Sequence, residues 1–180
     1  MMRFLIIPLI VLLSSLSACG FSPVYGTHAN SAPVVDEMNQ VAIENIPDRR
    51  GQVLRNHLID RMYSKGRPRS TLYRLETRLR FTIEDLGIQS DATSTRALMN
   101  MYADYVLIDR NGKILFKGTA HSVSSYNKLA NQYASLAASE DAEIRTVKEV
   151  SEQIINSLSL YFAERASPNR TSIQTEKTPK

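Results

Sequence analysis

Cysteine is nearly absent from this chain of 180 residues, and the single one, Cys19, has no partner for an internal disulfide. The fold must therefore hold by its core alone. Long apolar runs are missing too. The one candidate, Phe4 to Leu16, falls short of the roughly 20 residues a spanning helix needs. No glycine loop of the phosphate-cradling kind occurs, and no Gly-x-Ser-x-Gly elbow. His28, His57 and His121 are not spaced with cysteine or acids as metal ligands, and are more simply surface or edge histidines. No segment repeats at a period of about 20–50 residues. A formal net charge of only +4 does not mark a nucleic-acid binder. These absences exclude a metal centre, a serine-hydrolase site and a nucleotide loop, and no cofactor is expected.

What is present begins with Cys19 itself. Arg3, the apolar run and then Leu16-Ser17-Ala18-Cys19 have the form of a bacterial lipoprotein signal. The small residues admit a signal peptidase, and the thiol is the acceptor for diacylglycerol. Residues 1–18 are then an export leader, and Cys19 carries acyl chains such as palmitate. Each buried methylene contributes about 0.8 kcal/mol, and two chains already give stable membrane residence. Gly20, in place of Asp, fits an outer-membrane destination facing the periplasm. Residues 19–40, with Ser22-Pro23, Gly26 and Asn30 to Pro33, show no periodicity and are expected to form a tether.

The body spans 41–166. Val41 to Glu44 is a short strand candidate. Pro47-Asp48 marks a break with Asp48 as helix N-cap, and Val53, Leu54, Leu58, Ile59, Met62 and Tyr63 recur at helical spacing. Tyr73, Leu75, Leu79, Phe81 and Ile83 face inward on a strand of period two. A polar loop is expected from Leu86 to Thr95. The next strand turns Ala97, Met99, Met101, Ala103, Tyr105 and Leu107 inward. Asp109 to Lys113, with Asn111-Gly112, is a hairpin turn into a third long strand, Ile114 to about Tyr126. Tyr133 to Ala166 is helical, with Ile144, Val147, Val150, Ile154, Leu158 and Tyr161 on its apolar face. Glu140, Asp141 and Glu143 complement the helix dipole if the main helix starts near Ser139. Residues 167–180 are expected to be a disordered tail. The fold class is α+β, a two-layer sandwich. Two helices pack on one face of a mostly antiparallel four-stranded sheet, in the order β-α-β-β-β-α.

Cations dominate between Arg49 and Arg80, where only Asp60 and Glu76 oppose ten of them. That surface is either an ordinary solvated basic face or one that meets phosphates, headgroups or an acidic partner. Arg74, Arg78 and Arg80 line the wet side of the first long strand. The following loop delivers Arg96, and the hairpin offers Arg110 and Lys113. Arginine forks suit phosphate oxygens, whereas strand charges also discourage edge pairing.

Three stretches, in this order behind the cysteine motif, resemble one family. They are Cys19-Gly20-Phe21-Ser22-Pro23-Val24-Tyr25-Gly26, the run from Ile46 to Leu58, and Ser124-Ser125-Tyr126-Asn127 followed by Tyr133 to Ala142. The family is that of the lipopolysaccharide-assembly lipoproteins LptE, in its alphaproteobacterial form. The resemblance implies a protein that makes and breaks no bond. It implies a seat inside the LptD outer-membrane β-barrel, as a plug that assists barrel assembly. It also implies contact with lipopolysaccharide during insertion into the outer leaflet. In such proteins basic residues near the loop between the first two long strands touch the lipid, and Arg96 is the nearest match. A second basic position lies near the start of the last helix. Here Ser139-Glu140-Asp141 stands there, and Lys128 is the nearest earlier cation. Arg78 and Arg80 complete the candidate lipid contacts. Apart from any family, the residues also fit a stand-alone lipoprotein that binds an anionic lipid or polysaccharide.

Overall fold

The computed structural model describes residues 32–63, 66–68, 70–88 and 94–166. Cys19, His28 and the segments 1–18 and 167–180 lie outside the described residues. The elements, in chain order, are α1 (Ala32–Asn39), β1 (Val41–Ile43), α2 (Asp48–Met62), β2 (Tyr73–Ile88), β3 (Ser94–Asp109), β4 (Ile114–Asn127) and α3 (Gln132–Ala166). The sheet order is β1-β2-β3-β4. β1 runs parallel to β2, reached through α2, while the other two pairings are antiparallel.

The α+β sandwich expected from the sequence is present. Alternation sends Ala97, Met99, Met101, Ala103, Tyr105 and Leu107 to the helix side, all buried. Leu75 and Leu107, partners across β2 and β3, pack with Leu54, Leu58, Ile154, Leu158 and Phe162 in one cluster. Each such side chain stabilises the fold by about 1.5–3 kcal/mol on full burial.

The structure corrects the expected tether. Residues 32–39 form a third helix, and Val34 and Met38 belong to the core. Pro33 suggested a break, but it sits in the first turn of α1, where a proline's missing N–H costs nothing. The Asp48 cap also does not form. Pro47 occupies the cap position without a side-chain bond, and Asp48 opens α2 at φ 70°. With φ fixed near −56° at Pro47, the chain makes its turn at Asp48, and Asp tolerates left-handed backbone better than most residues.

β2 and β3 are longer than their apolar pattern. They continue through the expected polar loop as far as the pair Ile88 and Ser94. Ile83, expected inward, is 46% exposed, and Leu79 and Phe81 are only half-buried. Ile83 lies two residues beyond Phe81, where the Arg50 guanidinium of α2 lies 3.9 Å from the ring centroid. The hairpin turn is as expected. Asp109 Oδ1 accepts from the N–H groups of Asn111 and Lys113, each at 2.8 Å, and Gly112 takes φ 81°.

One glycine is required by close approach. Gly118 pairs with Tyr105 across β3 and β4, and the buried tyrosine ring lies directly over it. A methyl at position 118 overlaps the ring carbons and hydroxyl. Burial raises the Tyr105 pKa, with a hydrogen bond to Ser157 opposing the shift. Gly118→Ala is expected to cost about 1–3 kcal/mol in urea unfolding through overpacking. In a Tyr105→Leu background the same change is expected to cost much less. Equal costs in the two backgrounds would remove the ring as the cause.

Candidate lipid-contact site at the distal end of the sheet

The sheet has two unlike ends. At one, the α1 C-terminus is bonded to the start of β2: the N–H groups of Leu72 and Tyr73 donate to Gln40 O at 2.9 and 3.2 Å. At the other, the far ends of β2 and β3 lie beside the end of β4 and the start of α3. The second, distal end gathers two of the sequence-derived cations. Arg96 stands opposite Asn127 in the β3–β4 register, and Lys128 follows Asn127. Arg96 Nη2 donates to Ser125 Oγ at 2.6 Å, and Lys128 Nζ lies 2.6 Å from Asp85 Oδ1. Both engagements are solvent-exposed. Exposed pairs of this kind contribute about 0–1 kcal/mol.

Arg78 and Arg80 are not brought to this place. They lie mid-sheet, on the wet face. Leu86, not Arg80, is the β2 partner of Arg96. The six intervening steps separate Arg80 from Arg96 by about 20 Å along the strand. Arg80 belongs to a different arrangement. It donates to Asp104 Oδ2 at 2.9 Å, while Thr119 donates to Asp104 Oδ1 at 2.8 Å. The Thr119 hydroxyl is the main cause holding the Asp104 carboxyl below its usual pKa, with Arg80 and Arg78 adding to it. Arg80 also lies 5.4 Å from the Tyr102 ring, which stacks on His121 at 4.0 Å. Thus His121 is a stacked surface residue, and His57 is a half-buried residue of α2. Among the described residues no group of three metal-ligand side chains occurs.

The segment after Lys128 and the start of α3 supply apolar surface on the helix side. Asn131 Oδ1 accepts from the N–H groups of Tyr133 and Ala134 at 2.9 and 3.3 Å, so the helix begins at Gln132, well before Ser139. No residue of α3 before Ala142 is fully buried. Leu129, Tyr133 and Leu136 are exposed, Tyr133 at 85%. Ile144, assigned from the sequence to the inner face, is exposed as well.

The early start overturns the dipole assignment of the three acids, since the first turn of α3 holds none. Asp141 pairs with Arg145 one turn on. Glu143 is buried between helices and accepts from Arg50 Nε at 2.8 Å, with Arg49 at 3.5 Å. It clamps α2 to α3 over the middle of the sheet, where Arg50 also meets Phe81. Sequence spacing carries no sign of this clamp, because its partners are ninety-odd positions apart. The same holds for Asp85 with Lys128. The exposed apolar group had one legible sign: Leu129, Tyr133 and Leu136 precede the segment whose periodicity continues to Tyr161.

The family model described as LptE, lipopolysaccharide-assembly, matches residues 38–158. No curated protein sequence matches the chain. Among solved structures, a protein from Caulobacter crescentus CB15 described as a lipoprotein is 23% identical, with a TM-score of 0.59, over 73% of this chain and 97% of that one. A lipoprotein B from Nitrosomonas europaea is 14% identical, with a TM-score of 0.53, over 67% and 82%. A minor lipoprotein from Acinetobacter baumannii is 16% identical, with a TM-score of 0.51, over 68% and 92%. At these identities the structural matches show a shared fold.

Proposed function

Because the chain belongs to the LptE lipopolysaccharide-assembly family, we propose that it is an outer-membrane lipoprotein that plugs and helps assemble an LptD-like β-barrel. In this role it touches lipopolysaccharide with its distal end and catalyses no reaction. Cys19 is its lipid anchor, on the periplasmic side. No helix among the described residues is long and apolar enough to cross a membrane.

The observation that carries the proposal is that one end of the sheet holds Arg96 on its wet face and Lys128, bonded to Asp85, on its helix face, with exposed Leu129, Tyr133 and Leu136 following Lys128. Lipopolysaccharide is an amphiphile with anionic phosphates next to acyl chains, and this end offers both complements. Geometry adds support. The chain from Cys19 enters the body through α1, which ends beside Tyr73. Tyr73 pairs with Asp109, at the opposite end of β3 from Arg96. Thirteen strand steps place Arg96 about 45 Å from that pole. A bilayer with its headgroups measures about 40–45 Å. A body anchored at the inner leaflet and seated in a barrel therefore reaches the outer leaflet with its cationic end. Arg78 and Arg80, mid-sheet, stand as secondary contacts on the path between the two poles.

Affinity capture from detergent-solubilised membranes tests the partner: a large β-barrel protein is expected to co-purify. Recovery of the chain alone, with saturable binding of an anionic lipid, favours the stand-alone lipoprotein instead. The site has its own test. Each charge-assisted hydrogen bond contributes about 1.5–3 kcal/mol, so Arg96→Glu with Lys128→Glu is expected to weaken lipopolysaccharide binding at least roughly tenfold. Circular dichroism should not change, since both side chains are exposed. Unaltered affinity removes the distal end from the contact.

A further inference from the structure

β4 is the outer strand of the sheet on the side away from β1. Its 14 residues, Ile114–Asn127, carry one lysine, Lys117, and no acid. A long outer strand with so little charge is a template for pairing with another strand. One contact interrupts it. The His121 N–H donates to Gln153 Oε1 at 3.0 Å, and Gln153 Nε2 donates back to His121 O at 2.9 Å. A single side-chain amide thus makes both bonds that a residue of a neighbouring strand would make. The contact sits near the middle of β4. One turn earlier on α3, Glu149 accepts from Ser122 Oγ at 2.6 Å and holds the helix over the strand.

The direction of the His121 groups fixes the rest of the edge. They point away from β3, so in an antiparallel ladder those of Thr119 and Val123, two residues either way, point outward too. We propose that the β4 edge is a self-complementary pairing surface for a second copy of this chain, and that Gln153 keeps it closed by standing in for the incoming strand. Antiparallel pairing centred on His121 sets Thr119 against Val123 and Lys117 against Ser125. No like charges face each other, and nothing in the strand opposes the match. β2, where it extends beyond β1, is different: Glu76, Arg78, Arg80, Glu84 and Asp85 guard it with charge. The guard on β4 is a hydrogen-bonding side chain from α3, which leaves the strand itself with Lys117 as its one charge.

The full chain, purified in detergent, provides the test. In the parent protein the His121 amide is expected to exchange hydrogen more slowly than those of Thr119 and Val123; equal rates overturn the contact. Gln153→Leu keeps helix propensity and removes both bonds. Its His121 amide is expected to exchange about tenfold faster at low concentration. Sedimentation should then show dimers as concentration rises, while the parent stays monomeric. Adding His121→Lys to Gln153→Leu puts two ammonium groups face to face in this register and should restore the monomer. A monomeric Gln153→Leu variant with fast His121 exchange overturns the guard, and dimers that survive His121→Lys overturn the register.

Discussion

Leu107→Asp is expected to abolish the native fold at neutral pH. Leu107 is fully buried, lies between Leu75 on β2 and Phe116 on β4, and belongs to the central cluster. No donor faces the position from its two strand partners. Truncation to alanine alone is expected to cost about 2–5 kcal/mol through the lost contacts and the cavity left behind. An unpaired carboxylate adds several kcal/mol of desolvation, against a total stability for such domains of about 5–15 kcal/mol. The pH dependence follows from the sign of the shift. Burial raises the pKa of this carboxyl in the native state above its unfolded value of about 4. Below that value both states are protonated, and only the neutral acid must be buried. As pH rises, the unfolded state ionises and the native state does not, so stability falls by about 1.4 kcal/mol per unit. Urea unfolding followed by circular dichroism, near pH 3 and at pH 7, checks both the loss and its partial reversal in acid. A cooperative native transition at pH 7 close to that of the parent defeats the assignment of Leu107 to the core.

Cys19→Ser is expected to remove the acyl chains completely. A hydroxyl is a far weaker nucleophile than a thiolate at neutral pH, so no diacylglyceryl thioether forms. The leader, residues 1–18, should then stay attached. Intact mass and fatty-acid labelling read both outcomes: a heavier polypeptide with no incorporated label. The loss in binding is large, because each methylene of each chain contributes about 0.8 kcal/mol, and a single chain gives only marginal residence. Correct cleavage and labelling of the serine variant would show that the thiol is not the anchor. Twelve residues separate Cys19 from Ala32, a span of at most about 45 Å when extended. The packed body begins at α1, with Val34 and Met38 in the core, so an acylated Cys19 would keep it within that span of the leaflet.

Some of this protein is written in local order. The turn at Asp109 to Gly112, the alternation from Ala97 to Leu107 and the helical steps from Val147 to Leu158 all depend on neighbours within a few positions. Each of these local patterns was legible without coordinates. The family was legible for the same reason, as a succession of turn and helix signatures. Where the readings failed, a distant partner had intervened. Val34 and Met38 look unremarkable beside Pro33 until α3 is there to cover them. Glu143 resembles a dipole-complementing acid until Arg50 arrives from another helix. Ile83 and Ile144 fit an apolar stripe, yet neither is covered by another element.

Residue pattern alone therefore settled the class of fold and the faces of β3, and named Cys19 as the candidate anchor, since periodicity and short motifs are properties of one segment. Only tertiary structure decided that β1 joins in parallel and that Lys128 meets Asp85 near Arg96 while Arg80 is drawn away by Asp104. It also decided that Gln153 closes β4. Those outcomes depend on which segments lie side by side, and burial, pairing and charge neutralisation act across space without regard to separation along the chain.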